Sequence, residues 1–379
     1  MPPLLFVGIS SMRDDASQHK LYFLADILGR RGTPVTVLVP DLAENRAYFA
    51  DKPHVATHYY PPGSALADAW RKSQFVHTRP WSAIWVVGVG VRSYLRRSRD
   101  VPMIQDLDEF PSMIASFGRL RRIYLQWIER RMVARAQGFT CASALLENAV
   151  RRQRPDLGPR LLRMPVAISA SEQQVDPALV SQLEKAAAGH PVLVYVGSMN
   201  RFYEDQLDEI IALAGVLRRR GSPARLRILG GGPDLEYFKA KASAAQTGEN
   251  LEFAGHVRRP ELASHLEAAQ VLVFPFAANA FNLSRCPTKA FHYAAANRPV
   301  VTNRVGEVAS LFGDAASYYP ERDVEALADR CQEALARTEP YENGIPPATL
   351  TWEARAQTFS EWLSAQGWMP AGPRGAGPS

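Results

Sequence analysis

Short apolar runs alternate with stretches of helical periodicity along the first half of the chain. Runs of strand length occupy residues 4–10, 35–39, 83–89, 103–107 and 138–142. Between the first two runs, residues 17–31 carry Leu21, Leu24, Ala25 and Leu28 at helical spacing, and Gly32 ends the pattern. Residues 120–135 form a longer amphipathic pattern. A strand, a helix and another strand in this order predict a parallel α/β sheet.

The second half restarts this alternation after an aperiodic, linker-like stretch at residues 163–176 and a possible helix at 177–188. Strands are predicted at 192–196, 225–229, 251–253, 271–274 and 299–302, and helices at 204–220, 235–245, 261–269, 288–296, 324–336 and 352–365. A chain of 379 residues suits two α/β domains better than one core. We therefore expect domains at 1–168 and 175–350, with ligands in a cleft at the carboxyl ends of their strands. The Pro/Gly-rich residues 369–379 are expected to be disordered.

Positive charge is concentrated in the first half of the chain. Residues 1–168 hold 24 Lys and Arg against 14 Asp and Glu, while the remainder carries a net charge of −4. Three arginine clusters account for much of this excess: Arg92, Arg96, Arg97 and Arg99; Arg119, Arg121, Arg122, Arg130, Arg131 and Arg135; Arg151, Arg152 and Arg154. Either they are solvated helix faces or they form a surface for an anionic partner. An anionic membrane would be a suitable partner for such a surface. Nucleic acid is not expected as a partner, because the sequence contains no nucleic-acid recognition motif.

Cysteine usage and apolar run length bear on the compartment. The three cysteines are isolated, which supports neither a disulfide framework nor a zinc site. The longest apolar run, residues 82–91, is about half of a membrane span, and no basic stretch precedes an apolar one at the N-terminus. A cytoplasmic protein is expected, with peripheral contact at the inner face of the plasma membrane left open.

Two loops that follow predicted strands bear on nucleotide binding. The loop at residues 10–17 lacks Gly-x-Gly-x-x-Gly, so no dinucleotide fingerprint follows the first strand. Gly230, Gly231 and Gly232 follow a predicted strand and precede Pro233. They are interpreted with equal weight as a tight turn in which Pro233 opens a helix, or as a nucleotide contact.

Residues 274–302 are the most informative segment. A strand ends at Phe274, a polar loop follows, and Pro287 is placed near the first position of a new helix. The amino end of that helix is predicted to bind an anion, and Arg285 and Lys289 would neutralise a diphosphate without a metal ion. Asn297 falls where a helix needs a left-handed residue.

This segment resembles the donor-binding helix of the two-domain GT-B glycosyltransferases, especially family 4 (group 1). The family pattern runs from a Pro-Asn-Lys to a Gly-x-Pro-Val-Val, and here it corresponds to Pro287, Thr288, Lys289, His292, Tyr293, Asn297 and Pro299. The resemblance extends over nearly the whole chain. It implies two Rossmann-like α/β domains facing each other, with a helix at about 352–366 crossing back to the first domain.

The resemblance also implies roles for individual residues. Donor binding falls to Gly197, Ser198, Arg201, Gly231, Val257, Ser284, Arg285, Cys286, Thr288, Lys289 and His292. Asp106 and Asp108 resemble the acidic loop of the first domain and are candidate catalytic residues, although both could merely cap a helix start near Phe110. Acceptor binding is assigned to Ser10, Ser11, Arg13 and His19, and His19 could equally face solvent.

The chain departs from the family pattern at several positions. The family often has two glutamates separated by seven residues, and those positions are Ser284 and His292 here. His292 could still hold the ribose hydroxyls, while Ser284 is a poorer mimic of a glutamate. The family usually has a pair of glycines before the first helix, and Asp15 and Ala16 occupy those two positions here. These changes leave the donor and the stereochemistry open.

We therefore expect a metal-independent glycosyltransferase without a cofactor, which uses a UDP- or GDP-linked sugar as its donor. The acceptor would be a glycan, a lipid-linked molecule or a small molecule, in polysaccharide or glycoconjugate biosynthesis. Retention of configuration is slightly favoured over inversion with Asp108 as the base. A nucleotide-sugar 2-epimerase and a non-catalytic sugar-nucleotide-binding subunit remain alternatives.

Overall fold

The computed structural model describes residues 2–11, 18–88, 101–113 and 117–369. The chain divides into two compact units, which are described separately. The first unit comprises residues 1–167, 284–286 and 352–379, and the second comprises residues 168–283 and 287–351. The predicted arginine cluster at residues 92–99 and the predicted acceptor residue Arg13 lie outside the described residues, as does most of the tail.

The described part of the first unit contains one parallel sheet. Its strands are β1 (Leu4–Val7), β2 (Val35–Pro40), β3 (Val55–Tyr60), β4 (Ala83–Val87), β5 (Met103–Leu107), β6 (Gly138–Cys141) and β7 (Leu161–Arg163). They lie in the order β3-β2-β1-β4-β5-β6-β7, so the direction of winding reverses between β1 and β4. Apolar side chains of β1, β2 and β4 fill the core, because these central strands are covered on both faces.

Five helices accompany these strands within the described residues. They are α1 (His19–Arg30), α2 (Ala43–Phe49), α3 (Ala65–Val76), α4 (Arg119–Arg135) and α5 (Ala144–Gln153). The Ser143 side chain caps α5 by accepting from the Leu146 amide at 3.2 Å. The buried Glu129 on α4 accepts from the Ser112 amide at 2.9 Å and from its hydroxyl at 2.5 Å. Contacts of this kind fix the loop that follows β5.

The second unit has its own parallel sheet. The strands are β8 (Val192–Val196), β9 (Arg225–Leu229), β10 (Leu251–Gly255), β11 (Val271–Phe274), β12 (Val300–Thr302) and β13 (Ser317–Tyr318). Their order is β10-β9-β8-β11-β12-β13, which again reverses beside the first strand of the unit. In a doubly wound sheet, ligands bind outside the carboxyl ends of the strands at such a reversal.

Helices on this second sheet are α6 (Pro177–Ala186), α7 (Glu204–Arg219), α8 (Leu235–Ala244), α9 (Arg259–Glu267), α10 (Ala280–Ser284), α11 (Thr288–Ala296), α12 (Gly306–Phe312) and α13 (Val324–Leu335). Helix α11 ends at Asn297, whose φ of 51° and ψ of 42° place it in the left-handed region. The predicted left-handed role of Asn297 is therefore confirmed. Its side-chain oxygen also accepts from the Asn343 amide at 2.9 Å.

The last helix, α14 (Trp352–Ala365), packs on the first unit. Its Trp352 ring stacks on Phe23 of α1 with the ring centroids 5.4 Å apart, and Phe359 lies 4.9 Å from Trp85 of β4. None of the described helices is both long and apolar enough to cross a membrane.

Most predicted elements are present, and the helix-opening role considered for Pro233 needs correction. Strands β8, β9 and β11 and helices α11 and α14 have the predicted limits. Pro233 does not open a helix, because α8 starts two residues later with Asp234 at its N-cap. Pro287 occupies the N-cap of α11, which confirms its predicted place near the first helical position. Strand β3 was missed because it is a half-exposed edge strand without a continuous apolar run.

Candidate functional site

The loops that follow β8, β9 and β10 hydrogen-bond to one another at the carboxyl edge of the second sheet. The Gly197 amide donates to Leu229 O at 3.0 Å, and the Met199 amide donates to Gly231 O at 3.0 Å. The Gly230 amide donates to Gly255 O at 2.8 Å. The three loops therefore form one backbone-lined surface at the strand ends.

Glycine is required where these loops touch. A Cβ on Gly230 would lie 1.8 Å from Gly197 O, and Gly230 has a φ of 154°. A Cβ on Gly232 would lie 2.3 Å from Met199 O. Gly231, one of the predicted donor residues, would meet only ordinary contacts. The glycine run therefore allows close backbone approach between two loops, which a side chain would prevent.

Lys289 reaches the same edge from the first turn of α11. Its ammonium donates to Tyr195 Oη at 3.3 Å and lies 4.4 Å from the centre of the Tyr195 ring. It is also 4.6 Å from the centre of the Phe274 ring at the end of β11. Tyr293 Oη accepts from the Val196 amide at 2.9 Å, which fixes α11 against β8. The helix amides and this cation thus lie beside the strand ends, an arrangement suited to an anion.

Four other predicted donor residues border these loops. Arg201 anchors its backbone amide on Asp234 at 2.9 Å and places its guanidinium 4.5 Å from the Tyr237 ring centre. Ser198 is exposed in the loop after β8, and Val257 is half-buried in the loop after β10. Thr288 begins α11. The structure brings these residues to the same edge, and their contact with a donor stays a prediction.

His292 lies deeper, one turn after Lys289. It is buried, and burial lowers its pKa to about 4; the nearby charge of Glu172 opposes this shift and that of Arg259 adds to it. Arg259 and Glu172 are 3.5 Å apart. The neutral imidazole suits both a packing role and the predicted ribose contact, which stays a prediction.

Three of the predicted acceptor residues are described: Ser10 and Ser11 follow β1, and His19 begins α1. Tyr22 Oη donates to Ser10 O at 3.1 Å, and Ser11 is buried. His19 is only 6% exposed and meets the Phe23 ring edge-on, so the solvent-facing alternative for His19 was wrong. Their contact with an acceptor stays a prediction.

The acidic residues at the end of β5 pair with a cation that the sequence analysis missed. Lys20 of α1 is fully buried, donates to both Asp106 oxygens at 3.3 Å, and also donates to Asp108. Burial alone would lower the pKa of Lys20, but the charges of Asp106 and Asp108 outweigh it and raise that pKa. Burial and the neighbouring Asp108 raise the pKa of Asp106, against the charge of Lys20 and a 2.6 Å hydrogen bond from Thr140.

This triad gives both aspartates a partner other than a helix start, and their predicted capping role stays an alternative. Asp106 is the penultimate residue of β5, and both carboxylates accept from an ammonium rather than only from backbone amides. The signal available in the sequence was a lysine within the apolar pattern of α1, four residues before Leu24. A buried cation requires a partner, but periodicity does not name that partner.

Residues 284–286 group with the first unit. Ser143 Oγ donates to Ser284 O at 2.6 Å, and both residues are fully buried. Cys286 is buried and Arg285 half-buried. The structure therefore ties Ser284, Arg285 and Cys286 to the first unit, while Lys289 and His292 belong to the second. Their predicted convergence on one diphosphate stays a prediction.

An open cavity of about 960 Å³ lies elsewhere, between β2, β3 and α3 of the first unit. Aromatic side chains, among them Tyr59, Trp70 and Phe75, contribute much of its lining. None of the predicted site residues lines this cavity, so the candidate donor site is defined by the loop geometry at the second sheet.

The residues that match a known family model lie mostly in the second unit, which carries these loops. Residues 190–337 match the family model described as "Glycosyl transferases group 1". Apart from residues 284–286, this match lies within the second unit, which is therefore similar to the group 1 glycosyl transferases. Comparison with curated proteins returned no match.

Solved structures extend the similarity to both units. Anabaena Alr3699/HepE, crystallised with UDP and glucose, gives a TM-score of 0.73 at 13% identity, covering 96% of this chain and 100% of that one. Sucrose-phosphate synthase from Thermosynechococcus elongatus gives 0.72 at 16% identity, with 96% and 98% covered. WaaG, a glycosyltransferase involved in lipopolysaccharide biosynthesis, gives 0.64 at 16% identity, with 97% and 100% covered. At these identities the likeness concerns the fold, which is GT-B.

Proposed function

We propose that this chain is a group 1 glycosyltransferase, which transfers a sugar from a nucleoside-diphosphate sugar to a glycan, lipid-linked or small-molecule acceptor. The observation that carries the proposal is the backbone-lined edge of the second sheet, with Lys289 beside it. This edge lies within the segment that matches the family model. The donor is a uridine diphosphate sugar, a choice supported by the UDP and UDP-glucose in the Alr3699/HepE crystals.

Binding of the donor diphosphate is proposed to rest on charge and backbone donors without a metal ion or a cofactor. Helix α11 begins at Thr288, one residue before Lys289, so the positive end of its dipole lies close to the full positive charge of that side chain. Arg201 supplies a second cation from an exposed position. Such groups stabilise the charge that develops on a departing diphosphate. Activity is therefore expected to survive EDTA, and its loss with recovery on adding Mn²⁺ would contradict this part.

Retention of anomeric configuration is the preferred stereochemical outcome. An inverting transfer needs a base near the acceptor hydroxyl, and Asp108 was the candidate for it. The contact between Asp108 and the ammonium of Lys20 counts against that role, because the paired cation stabilises the carboxylate against taking a proton. The anomeric coupling constant of the product, measured by NMR, tests the choice. An inverted product together with an inactive Asp108→Asn variant would establish Asp108 as the base.

The donor site is tested by isothermal titration calorimetry with UDP. Lys289→Ala is expected to weaken binding by about 1.5–3 kcal/mol, the usual contribution of a hydrogen bond to a charged group. Lys239→Ala is the matched control, because Lys239 is an exposed lysine of the same unit that pairs with Glu236 on α8. Equal UDP affinity in the two variants would show that the site is misplaced. Turnover of UDP-glucose with a glycan or lipid extract separates a transferase from a binding subunit.

A further inference from the structure

The first half of α4 exposes an apolar stripe in the first unit. Leu120, Ile123, Tyr124 and Trp127 are 84%, 53%, 51% and 50% exposed, respectively. Their spacing places them on one face of the helix, over a length of about 10 Å. The buried residues of α4 begin only at Ile128, so the helix packs on its unit through its second half. Large apolar side chains grouped in this way on a surface indicate an interaction site.

Arginines surround the stripe. Arg119, Arg121, Arg122, Arg130 and Arg131 are exposed on the same helix, and its single carboxylate, Glu129, is buried against Ser112. The Arg131 guanidinium lies 4.6 Å from the Trp127 ring centre, and that of Arg121 lies 3.8 Å from the Phe117 ring centre. The exposed surface of α4 is therefore positively charged as well as apolar, which is complementary to a negatively charged, partly apolar partner.

An anionic lipid bilayer satisfies both properties at once. Trp and Tyr favour the boundary between headgroups and acyl chains, where their rings are buried and their polar atoms stay hydrated. Arginine extends its charge toward phosphate groups while its methylenes cover apolar surface. A helix with arginines beside a Leu, Ile and Trp face has the composition of an interfacial helix that lies in the plane of the membrane. An acidic protein would match the charge but gives no reason for the aromatic pairing of Tyr124 and Trp127.

We propose that residues 119–131 of α4 bind the surface of an anionic bilayer, with Leu120, Ile123, Tyr124 and Trp127 inserted among the headgroups. This inference goes beyond the proposed transfer reaction and does not depend on it. It also limits which arginines of the first unit bind lipid: those of α4 bind lipid phosphate, while Arg151 and Arg152 at the end of α5 do not. Helix α5 carries no exposed group of large apolar side chains comparable to that of α4.

The experiment is co-sedimentation of the full chain with vesicles. One set consists of phosphatidylcholine and the other of an equimolar mixture with phosphatidylglycerol. The protein is expected to bind the anionic vesicles and to be released by salt. Leu120→Ser combined with Trp127→Ser is expected to weaken this binding at least roughly tenfold, because two large apolar groups no longer insert. Arg121→Gln with Arg130→Gln should also weaken it roughly tenfold and reduce its salt dependence.

Matched controls separate α4 from general surface effects. Leu66 and Trp70 on α3 are 69% and 65% exposed, so Leu66→Ser with Trp70→Ser removes the same side chains elsewhere in the unit. Arg151→Gln with Arg152→Gln removes two arginines from α5. Both controls are expected to bind vesicles as the parent protein does. Equal losses in controls and α4 variants, or equal binding to neutral vesicles, would overturn the proposal.

A second measurement identifies the competing partner. If the apolar α4 variants leave vesicle binding unchanged but abolish self-association in sedimentation velocity runs, the stripe is an interface between copies of this chain. That result also overturns the bilayer proposal. Thermal unfolding of each variant checks that it is folded, and the exposure of the substituted side chains makes large losses of stability unexpected.

Discussion

Replacement of Lys20 by methionine tests the buried triad most directly. Methionine has a similar length but no charge, so Asp106 and Asp108 would lose their shared cation while the packing of α1 changes little. The side chains of Lys20 and Asp106 are 0% and 1% exposed, respectively. Removing one partner of a buried ion pair typically costs about 3–5 kcal/mol, because an uncompensated charge remains. We expect a loss of that size at pH 8.

The loss should shrink at lower pH. The pKa of Asp106 is already raised by burial and by Asp108, and Lys20 is the strongest influence holding it down. Without Lys20 the pKa rises further, so at pH 5 the Asp106 carboxyl takes up a proton and no longer leaves a bare buried charge. The remaining cost at pH 5 is then about 1.5–3 kcal/mol, the size of a lost hydrogen bond to a charged group. The protein without Lys20 is therefore more strongly destabilised as the pH rises.

Urea unfolding at both pH values gives these free energies, and two further variants sharpen the result. Lys239→Met removes an exposed lysine and is expected to cost about 0–1 kcal/mol at either pH. Combining Lys20→Met with Asp106→Asn should recover part of the loss, since the two residues interact directly. A Lys20→Met loss that equals the Lys239→Met loss, or that does not change with pH, would refute the assignment of Lys20 as the charge partner.

Two other predictions concern the second unit. The pKa of His292 is lowered from 6.5 to about 4 in the folded protein, so the unfolded chain takes up a proton there at a higher pH than the folded chain does. The free energy of unfolding should therefore fall by up to about 3 kcal/mol as the pH drops from 6.5 to 4. The His292→Gln variant should lack this pH-dependent loss. Acid unfolding curves that are parallel for the two proteins would contradict the shift. Gly230→Ala should cost about 1–3 kcal/mol and weaken UDP binding, because its Cβ would collide with Gly197 O, whereas Gly231→Ala should be tolerated. Chemical unfolding and calorimetry compare the pair, and equal behaviour would show that the two loops separate freely.

The amino-acid sequence determined the local features in which pattern and structure coincide. Strands β8, β9 and β11 are short continuous apolar runs because a parallel sheet buries both faces, so periodicity alone locates them. The end of α11 was predicted from Asn297, since asparagine tolerates the left-handed conformation that closes a helix. Such signals depend only on residues close together in the chain. They suffice for the two α/β units and for the limits of α11.

The tertiary structure decided which distant groups meet. Lys20 and Asp106 are 86 residues apart in the sequence, and only the adjacency of α1 and β5 makes them partners. The clash that excludes a side chain at Gly230 arises from Gly197 on the neighbouring loop. The exposure of Leu120 and Trp127 likewise depends on where α4 packs, because an amphipathic pattern shows that a helix has an apolar face but not whether that face is covered. Burial and charge pairing are properties of non-local contacts, so they became visible only in the folded chain.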